Sequence, residues 1–285
     1  MNVEVLIRIS SFALVFAAMA GWEFVAPRRV WAVGRAPRWT NNLGILVVAV
    51  IAVRVLIPAA AVGAALFAAE RGWGLFHLAG LGLPLAAVLG FLILDLVIYA
   101  QHVVFHKVPV LWRLHRMHHA DLDIDVTTGV RFHPFEILIS LAIKIATVIL
   151  FGIPAVAVLL FEVVLNATAM FNHANVSMPP ALDRVLRLLV VTPDMHRVHH
   201  SILRNETDSN FGFNLPWWDR LFGTYRAAPA AGHQGMTIGL PIFRNPRELR
   251  VDRLLTQPFR DDPVAVDDER GPRGKRADPR NPPGR

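Results

Sequence analysis

The sequence predicts an all-α protein, a polytopic bundle of transmembrane helices with a helical cap on one membrane face. The 285-residue chain is 54% apolar with a mean hydropathy of +0.42, above the roughly 45–50% apolar content of soluble domains. The excess lies in long runs, the signature of membrane spans. Ten of the twelve histidines fall between His102 and His200. Most are spaced by three or four residues, which an α-helix brings onto one face.

The apolar runs give the elements in order. Residues 5–25 form the first. The run is long, lacks a basic leader and is followed by further runs, so it reads as a helix and not as a signal peptide. A basic loop follows, with Arg28, Arg29, Arg35 and Arg38. Residues 43–68 form the second span, with Arg54 inside it, and residues 79–104 the third, running straight into His102 and His106. Residues 135–151 and 153–171 are shorter than the roughly 20 residues of a full crossing, and predict a tilted or partly re-entrant hairpin. Residues 182–191 are amphipathic and fit an interfacial segment, as do Trp217, Trp218, Phe222 and Tyr225. From Pro258 onward Arg, Asp, Pro and Gly dominate, which predicts a disordered tail over 258–285. The only internal repeat is the echo HRMHH/HRVHH, too local to imply a duplicated domain.

The positive-inside rule places the 28–38 loop in the cytoplasm. Counting crossings from there puts the N-terminus outside, and every histidine motif and the C-terminus on the cytoplasmic side. The excess of arginine over lysine is that of a GC-rich bacterial genome, so the expected location is a bacterial inner membrane.

Composition excludes several chemistries. The chain has no cysteine, hence no disulfide, thiolate ligand, iron–sulfur cluster or cysteine nucleophile. The net charge is +7, but the arginines flank apolar runs or lie in the tail, with no nucleic-acid module. They read as juxtamembrane charge, and no nucleic-acid partner is expected.

His102 and His106 form H-x-x-x-H. His115, His118 and His119 form H-x-x-H-H, and His196, His199 and His200 repeat it. Neutral imidazole is a strong ligand for iron and zinc, and this many histidines exceed what one ion can use. His133 in RFHPFE and His173 in FNHANV sit at membrane boundaries on the same predicted face and are further candidate ligands. Asp95 and Tyr99 share a face of the third span with His102 and His106 and are the candidate catalytic residues. An intramembrane carboxylate has a partner or a function. Asp95 is expected to accept the free N–H of a ligand histidine, the plainer alternative being a bond to another helix. Asp121, Asp123 and Asp125 read as a solvated loop, Asp194 as a helix N-cap, and His77 and His233 as non-ligands.

Together these residues resemble the fatty acid hydroxylase/sterol desaturase superfamily of integral-membrane di-iron enzymes. The matching stretches are D-x-x-x-Y-x-x-H-x-x-x-H from Asp95, HRMHHAD, RFHPFE, NHANV, and TPDMHRVHHS followed by ETDSNFGFNLPWWDRLFGTY. The resemblance covers roughly residues 83–225. It implies N-terminal helices over 1–78, a catalytic domain over 79–257, and a dimetal site in the cytoplasmic cap. It also implies two iron ions, replaceable by zinc in purified samples, and O2 as co-substrate. The carried-over ligands are His102, His106, His115, His118, His119, His196, His199 and His200. His133 and His173 match less universal positions. The implied reaction is hydroxylation or desaturation of a lipid C–H bond. Its electrons would come from a ferredoxin, a cytochrome b5-like protein or a reductase. A histidine-ligated zinc hydrolase and a metal transporter or sensor are the competing classes. The near absence of carboxylates among the clusters disfavours the hydrolase, and the few polar residues in the spans disfavour transport.

A reporter fused after Arg285 is expected to show a cytoplasmic C-terminus. A C-terminus outside the cytoplasm overturns the orientation.

Overall fold

In the computed structural model, which describes residues 3–57 and 60–261, every regular element is helical apart from two isolated bridges, Pro27 with Val176 and Ser201 with Ile238. Five helical stretches among these residues are long and apolar enough to cross a membrane. Helix α1 (Val3–Val25) ends two residues before Pro27. The expected second span is two helices, α2 (Arg35–Leu56) and α3 (Ala60–Arg71). Helix α2 ends at Leu56 and α3 begins at Ala60; residues 58 and 59 between them lie outside the described residues. A single turn, α4 (Leu75–Leu78), leads to α5 (Leu83–Lys107), which stops where Pro109 begins α6 (Pro109–His119).

The hairpin is formed by α7 (Pro134–Phe151) and α8 (Ala155–His173). Its turn depends on Gly152, at φ 68°. A Cβ there would stand 2.6 Å from both the His77 ring and the Trp73 carbonyl. The main core joins α3, α5, α7 and α8 through Ala61, Ala65, Leu94, Ile98, Val148, Val158 and Phe161.

The end of α1, the start of α2, the end of α5, the start of α7 and the end of α8 meet at one face of the bundle. Segments 108–133 and 174–261 cover that face. Glu23 near the end of α1 accepts backbone N–H bonds from Val126 and Asn175, both at 2.8 Å. The amphipathic 182–191 segment begins as α9 (Pro180–Leu186). Its Val185, Leu188 and Leu189 are exposed, and Trp217 donates to the Leu188 carbonyl at 2.7 Å.

Two aspartate readings are corrected. Asp121, Asp123 and Asp125 are buried, not solvated. The basic 28–38 loop folds onto them. Arg38, fully buried, donates to Asp121 at 2.8 and 2.9 Å and to Asp125 at 2.5 Å. Asp123 accepts the backbone N–H groups of Ala32 and Val33. Arg131 lies 3.6 Å from Asp121 and donates to the Met117 carbonyl in α6 at 3.0 Å. Asp194 is likewise not the cap of α10 (Pro193–His199). Thr192 caps it, accepting from Met195 N, while Asp194 pairs with Arg28 and Arg197.

The chain from 257 to 261 docks on α6. Gln257–Phe259 form a 3-10 turn, and Arg113 donates to the Pro258 carbonyl at 2.6 Å. Disorder was expected over 258–285; residues 258–261 are instead held against α6, and 262–285 lie outside the described residues.

Removing one member of a buried ion pair costs about 3–5 kcal/mol, so Arg38→Met is expected to lower the thermal midpoint of the detergent-solubilised protein clearly at pH 7. Burial raises the Asp121 carboxyl, but Arg38 and Arg131 outweigh it and hold the group well below the usual carboxylate range. The folded value lies below the unfolded one. The pairing therefore contributes fully above about pH 4 and is lost progressively below it. The destabilisation by Arg38→Met should shrink as pH falls below that point; an undiminished cost would refute the assignment.

Candidate metal centre

Four helices supply the histidines. His102 and His106 lie one turn apart at the end of α5. The Val108–Pro109 turn redirects the chain so that α6 returns His115, His118 and His119 against them. His173 is the last residue of α8. His196 and His199 lie on α10, and His200 is its C-cap. None of the nine is more than 3% exposed.

They form two groups. His102, His106, His115, His119 and His199 make one, and His118, His173, His196 and His200 the other, with the offered nitrogen atoms of each within 4.8 Å of one another. Each H-x-x-H-H motif is split. Its first and last histidines, four apart, join one group, and the middle one crosses to the other. The two motifs do this in opposite senses, so each group holds a pair from one helix and a single histidine from the other.

Hydrogen bonds fix the tautomers. A carbonyl can only accept, so the ring nitrogen facing it carries the proton. His102 Nδ1 donates to the Phe211 carbonyl at 2.7 Å and His118 Nδ1 to that of Arg131 at 3.0 Å. His173 Nδ1 donates to the Ala169 carbonyl and His199 Nδ1 to that of Ser209, both at 2.7 Å. Nδ1 of His115 faces the Glu136 carboxylate at 2.7 Å and that of His106 faces Asp208 at 3.2 Å. Nε2 of His102, His115, His118, His173 and His199 is thereby left as a bare lone pair.

Those lone pairs face one another. Nε2 of His102 lies 3.0 Å from that of His115, and Nε2 of His173 lies 3.1 Å from that of His118. With both protons held on Nδ1, neither contact is a hydrogen bond. Nε2 of His106 and of His199 and both ring nitrogens of His200 have no partner. Nitrogens about 2.1 Å from a shared ion would stand about 3 Å apart when adjacent and about 4.2 Å when opposite. The residues present therefore fit metal ions, which would turn this repulsion into ligation. Burial and then the neighbouring imidazoles push His118, His119, His196 and His200 well below the ordinary histidine value. They are neutral, as ligands must be.

Three candidates stand elsewhere. His133 caps α7; its Nδ1 accepts from Phe135 N and its Nε2 donates to the Leu255 carbonyl, both at 3.2 Å. Both ring nitrogens are used, and His133 belongs to neither group. Asp95 does not receive a histidine N–H but accepts from the Trp218 indole at 2.8 Å. The Tyr99 hydroxyl is 2.8 Å from that of Thr224. These two residues fasten the aromatic 214–225 segment to α5. Asp219 within it receives the N–H groups of Phe211 and Gly212, which holds the Phe211 carbonyl over His102.

The carboxylates expected of Asp95 are instead Glu136 and Asp208. Glu136 lay inside RFHPFE, one helical turn after the histidine that drew attention. Because His133 forms the cap, Glu136 falls in the first turn of α7 and reaches α6. Sequence carried no signal for the four carbonyl acceptors.

Two groups of buried imidazoles that could each hold a metal ion lie at one face of a helical bundle with five candidate membrane spans. Residues 87–224 match the fatty acid hydroxylase family, which places this region of the chain in the fatty acid hydroxylase superfamily. It is 34% identical over 142 residues to the ornithine lipid hydroxylase OlsE of Rhizobium tropici, a match covering 50% of this chain and 42% of that protein. It is 30% identical over 158 residues to the alkylglycerol monooxygenase of Homo sapiens, covering 54% and 33%. To the cholesterol 25-hydroxylase of Rattus norvegicus it is 25% identical over 139 residues, covering 48% and 46%. The chain thus spans under half the length of each of these relatives. No solved structure gives a significant match.

Loss of a partner on the far side of a metal-binding histidine typically costs about 10–100-fold in metal affinity. Glu136→Gln should show that loss in competition with a chelator, while His133→Ala retains full metal content. Metal loss in His133→Ala would return it to the ligand set.

Proposed function

We propose that the protein is a di-iron oxygenase that hydroxylates or desaturates a C–H bond of a membrane lipid, using O2 and electrons from an external protein. The observation that carries this reading is the pair of imidazole groups at the end of a cavity that runs among the membrane helices. The cavity, about 750 Å³, is lined by His102, His115, Phe132 and Phe213 at one end and by side chains of α1, α2 and α3 along its length. That volume lies within the range of ligand sites. The similarity to an ornithine lipid hydroxylase, an alkylglycerol monooxygenase and a cholesterol 25-hydroxylase supports the same reading.

One ion would be held by His102, His106, His115, His119 and His199, the other by His118, His173, His196 and His200. When bound, iron supplies the redox chemistry that an unactivated C–H bond needs and that acid–base side chains lack. For hydroxylation the balance is one C–H bond, O2, two electrons and two protons giving a C–OH bond and water. For desaturation the same inputs remove two hydrogens and give two waters.

The chain's own residues supply the rest. The carbonyls of Phe211, Arg131, Ala169 and Ser209 hold the protons on Nδ1. The Glu136 carboxylate holds the one on His115. Phe132 stacks on His118 with ring centroids 4.5 Å apart and 10° between planes, and Phe213 lies 5.0 Å from His102. These rings form a dry wall where the substrate carbon is presented. Neither imidazole group includes a carboxylate, which favours an oxygenase over a zinc hydrolase. The reductant, a ferredoxin, a cytochrome b5-like protein or a reductase, would dock on the covered face. That face we assign to the cytoplasmic side of a bacterial inner membrane.

Purified protein is expected to hold two metal ions per chain and to consume O2 with lipid extract only when a reduced electron-transfer protein is added. His118→Ala and His199→Ala, one from each group, should each lower turnover at least about 100-fold, as loss of a group acting with others does. His77→Ala should leave it intact. One ion per fully metallated chain, or lipid hydrolysis without O2 uptake, refutes the reading.

A further inference from the structure

The same cavity reaches a cluster of charges inside the membrane-crossing helices. Besides His102 and His115 it is lined by Glu4 and Arg8 of α1, Arg54 of α2, Lys144 of α7 and Glu162 of α8. Ionisable side chains at membrane depth are costly and have a partner or a function. Glu162 has two partners, Lys144 and Arg8, each at 2.6 Å, and Arg8 also donates to Glu4 at 3.0 Å. Arg54 forms no ion pair or hydrogen bond with any described residue. Among the described residues that line it, three cations face two carboxylates.

The cluster lies far from the imidazoles. Eight residues separate Lys144 from Glu136, which touches His115, and eleven separate Glu162 from His173. At about 1.5 Å of rise per residue these intervals are about 12 and about 17 Å. Helices α1 and α2 run antiparallel, with Phe16 against Trp39 and Phe12 in the same cluster as Leu46. Arg54 therefore lies towards the Glu4 end of α1, on the side of the cluster away from the metal centre.

We propose that this cationic end is the headgroup subsite of the substrate cavity. It takes one oxyanion, a carboxylate or a phosphate, at the end of a long alkyl chain whose other part extends to the histidines. This rests on the cavity being the lipid site of the proposed oxygenase. A purely structural network accounts for Lys144, Glu162 and Arg8 but leaves Arg54 uncompensated. Arg54 is an exposed residue in the last turn of α2, free to pair with an oxyanion that enters the cavity, and its planar guanidinium matches carboxylate and phosphate geometry. The geometry also sets the position of oxidation. With C–C bonds of about 1.5 Å and hence roughly 1.3 Å of projected length per methylene, the carbon facing the histidines lies roughly ten carbons from the anionic group. The carbon next to the headgroup does not reach them.

The test uses the full chain in phosphatidylcholine nanodiscs, without O2 or reductant. Binding of palmitate, 1-palmitoyl lysophosphatidate and hexadecanol is compared by native mass spectrometry. At least one anionic probe should bind about tenfold or more tighter than hexadecanol, and which one wins separates a fatty-acid carboxylate from a phospholipid phosphate. Arg54→Gln and Lys144→Met should reduce that preference to about threefold or less. Should Lys144→Met fail to fold, Arg54→Gln decides alone, because it leaves no protein carboxylate unpaired. Equal binding of all three probes, or an unchanged preference in Arg54→Gln, overturns the proposal. Selective anion binding in a protein that never consumes O2 would fell the oxygenase reading and leave the subsite. Turnover without anion preference would do the reverse.

Discussion

The rest of the structure is organised around nine buried imidazoles whose ring nitrogens are held close together in two groups. Left to themselves, neutral imidazoles at 3 Å share a proton and form hydrogen bonds. Four backbone carbonyls prevent that for His102, His118, His173 and His199 by claiming the proton on Nδ1. The cap follows from this demand. It has to deliver the carbonyls of residues 131, 209 and 211 to positions behind particular rings, while that of Ala169 comes from α8 itself, one turn before His173.

The scaffold that resists the resulting repulsion is ionic as well as apolar. Arg38 at the start of α2 bridges Asp121 and Asp125, and Arg131 ties Asp121 to the carbonyl of Met117 in α6. The loop after α6 is thus clamped by its aspartates, and the carbonyl of Arg131 is set behind His118. One arginine therefore serves twice, its guanidinium in the clamp and its backbone in the metal centre. A buried ion pair of this kind gives register more than net stability. Register is what a centre built from four separate helices requires.

Much of this organisation was legible in the residue pattern. The five apolar runs, the helical histidine motifs and their common membrane face depend on local spacing and on counting crossings. Five candidate spans and an all-helical fold are found. The second run is two helices, one ending at Leu56 and the next beginning at Ala60, where the run of apolar residues read as continuous. The aspartates misread as solvated illustrate the opposite case. An Asp-x-Asp-x-Asp loop is polar by composition, and its burial depends on an arginine more than eighty positions earlier.

The sequence alone determined which histidines can point together, because a helix repeats every 3.6 residues whatever surrounds it. Only the tertiary structure decided how they are shared. Within HRMHH and HRVHH the members four apart stay with one group and the middle member goes to the other, since α6 and α10 approach from different directions and each presents its face to both centres. It likewise decided that Glu136, not Asp95, backs a ligand histidine and that both ring nitrogens of His133 are already engaged. Those outcomes turn on distances of about 3 Å between atoms far apart in the chain. No periodicity within one segment encodes such distances.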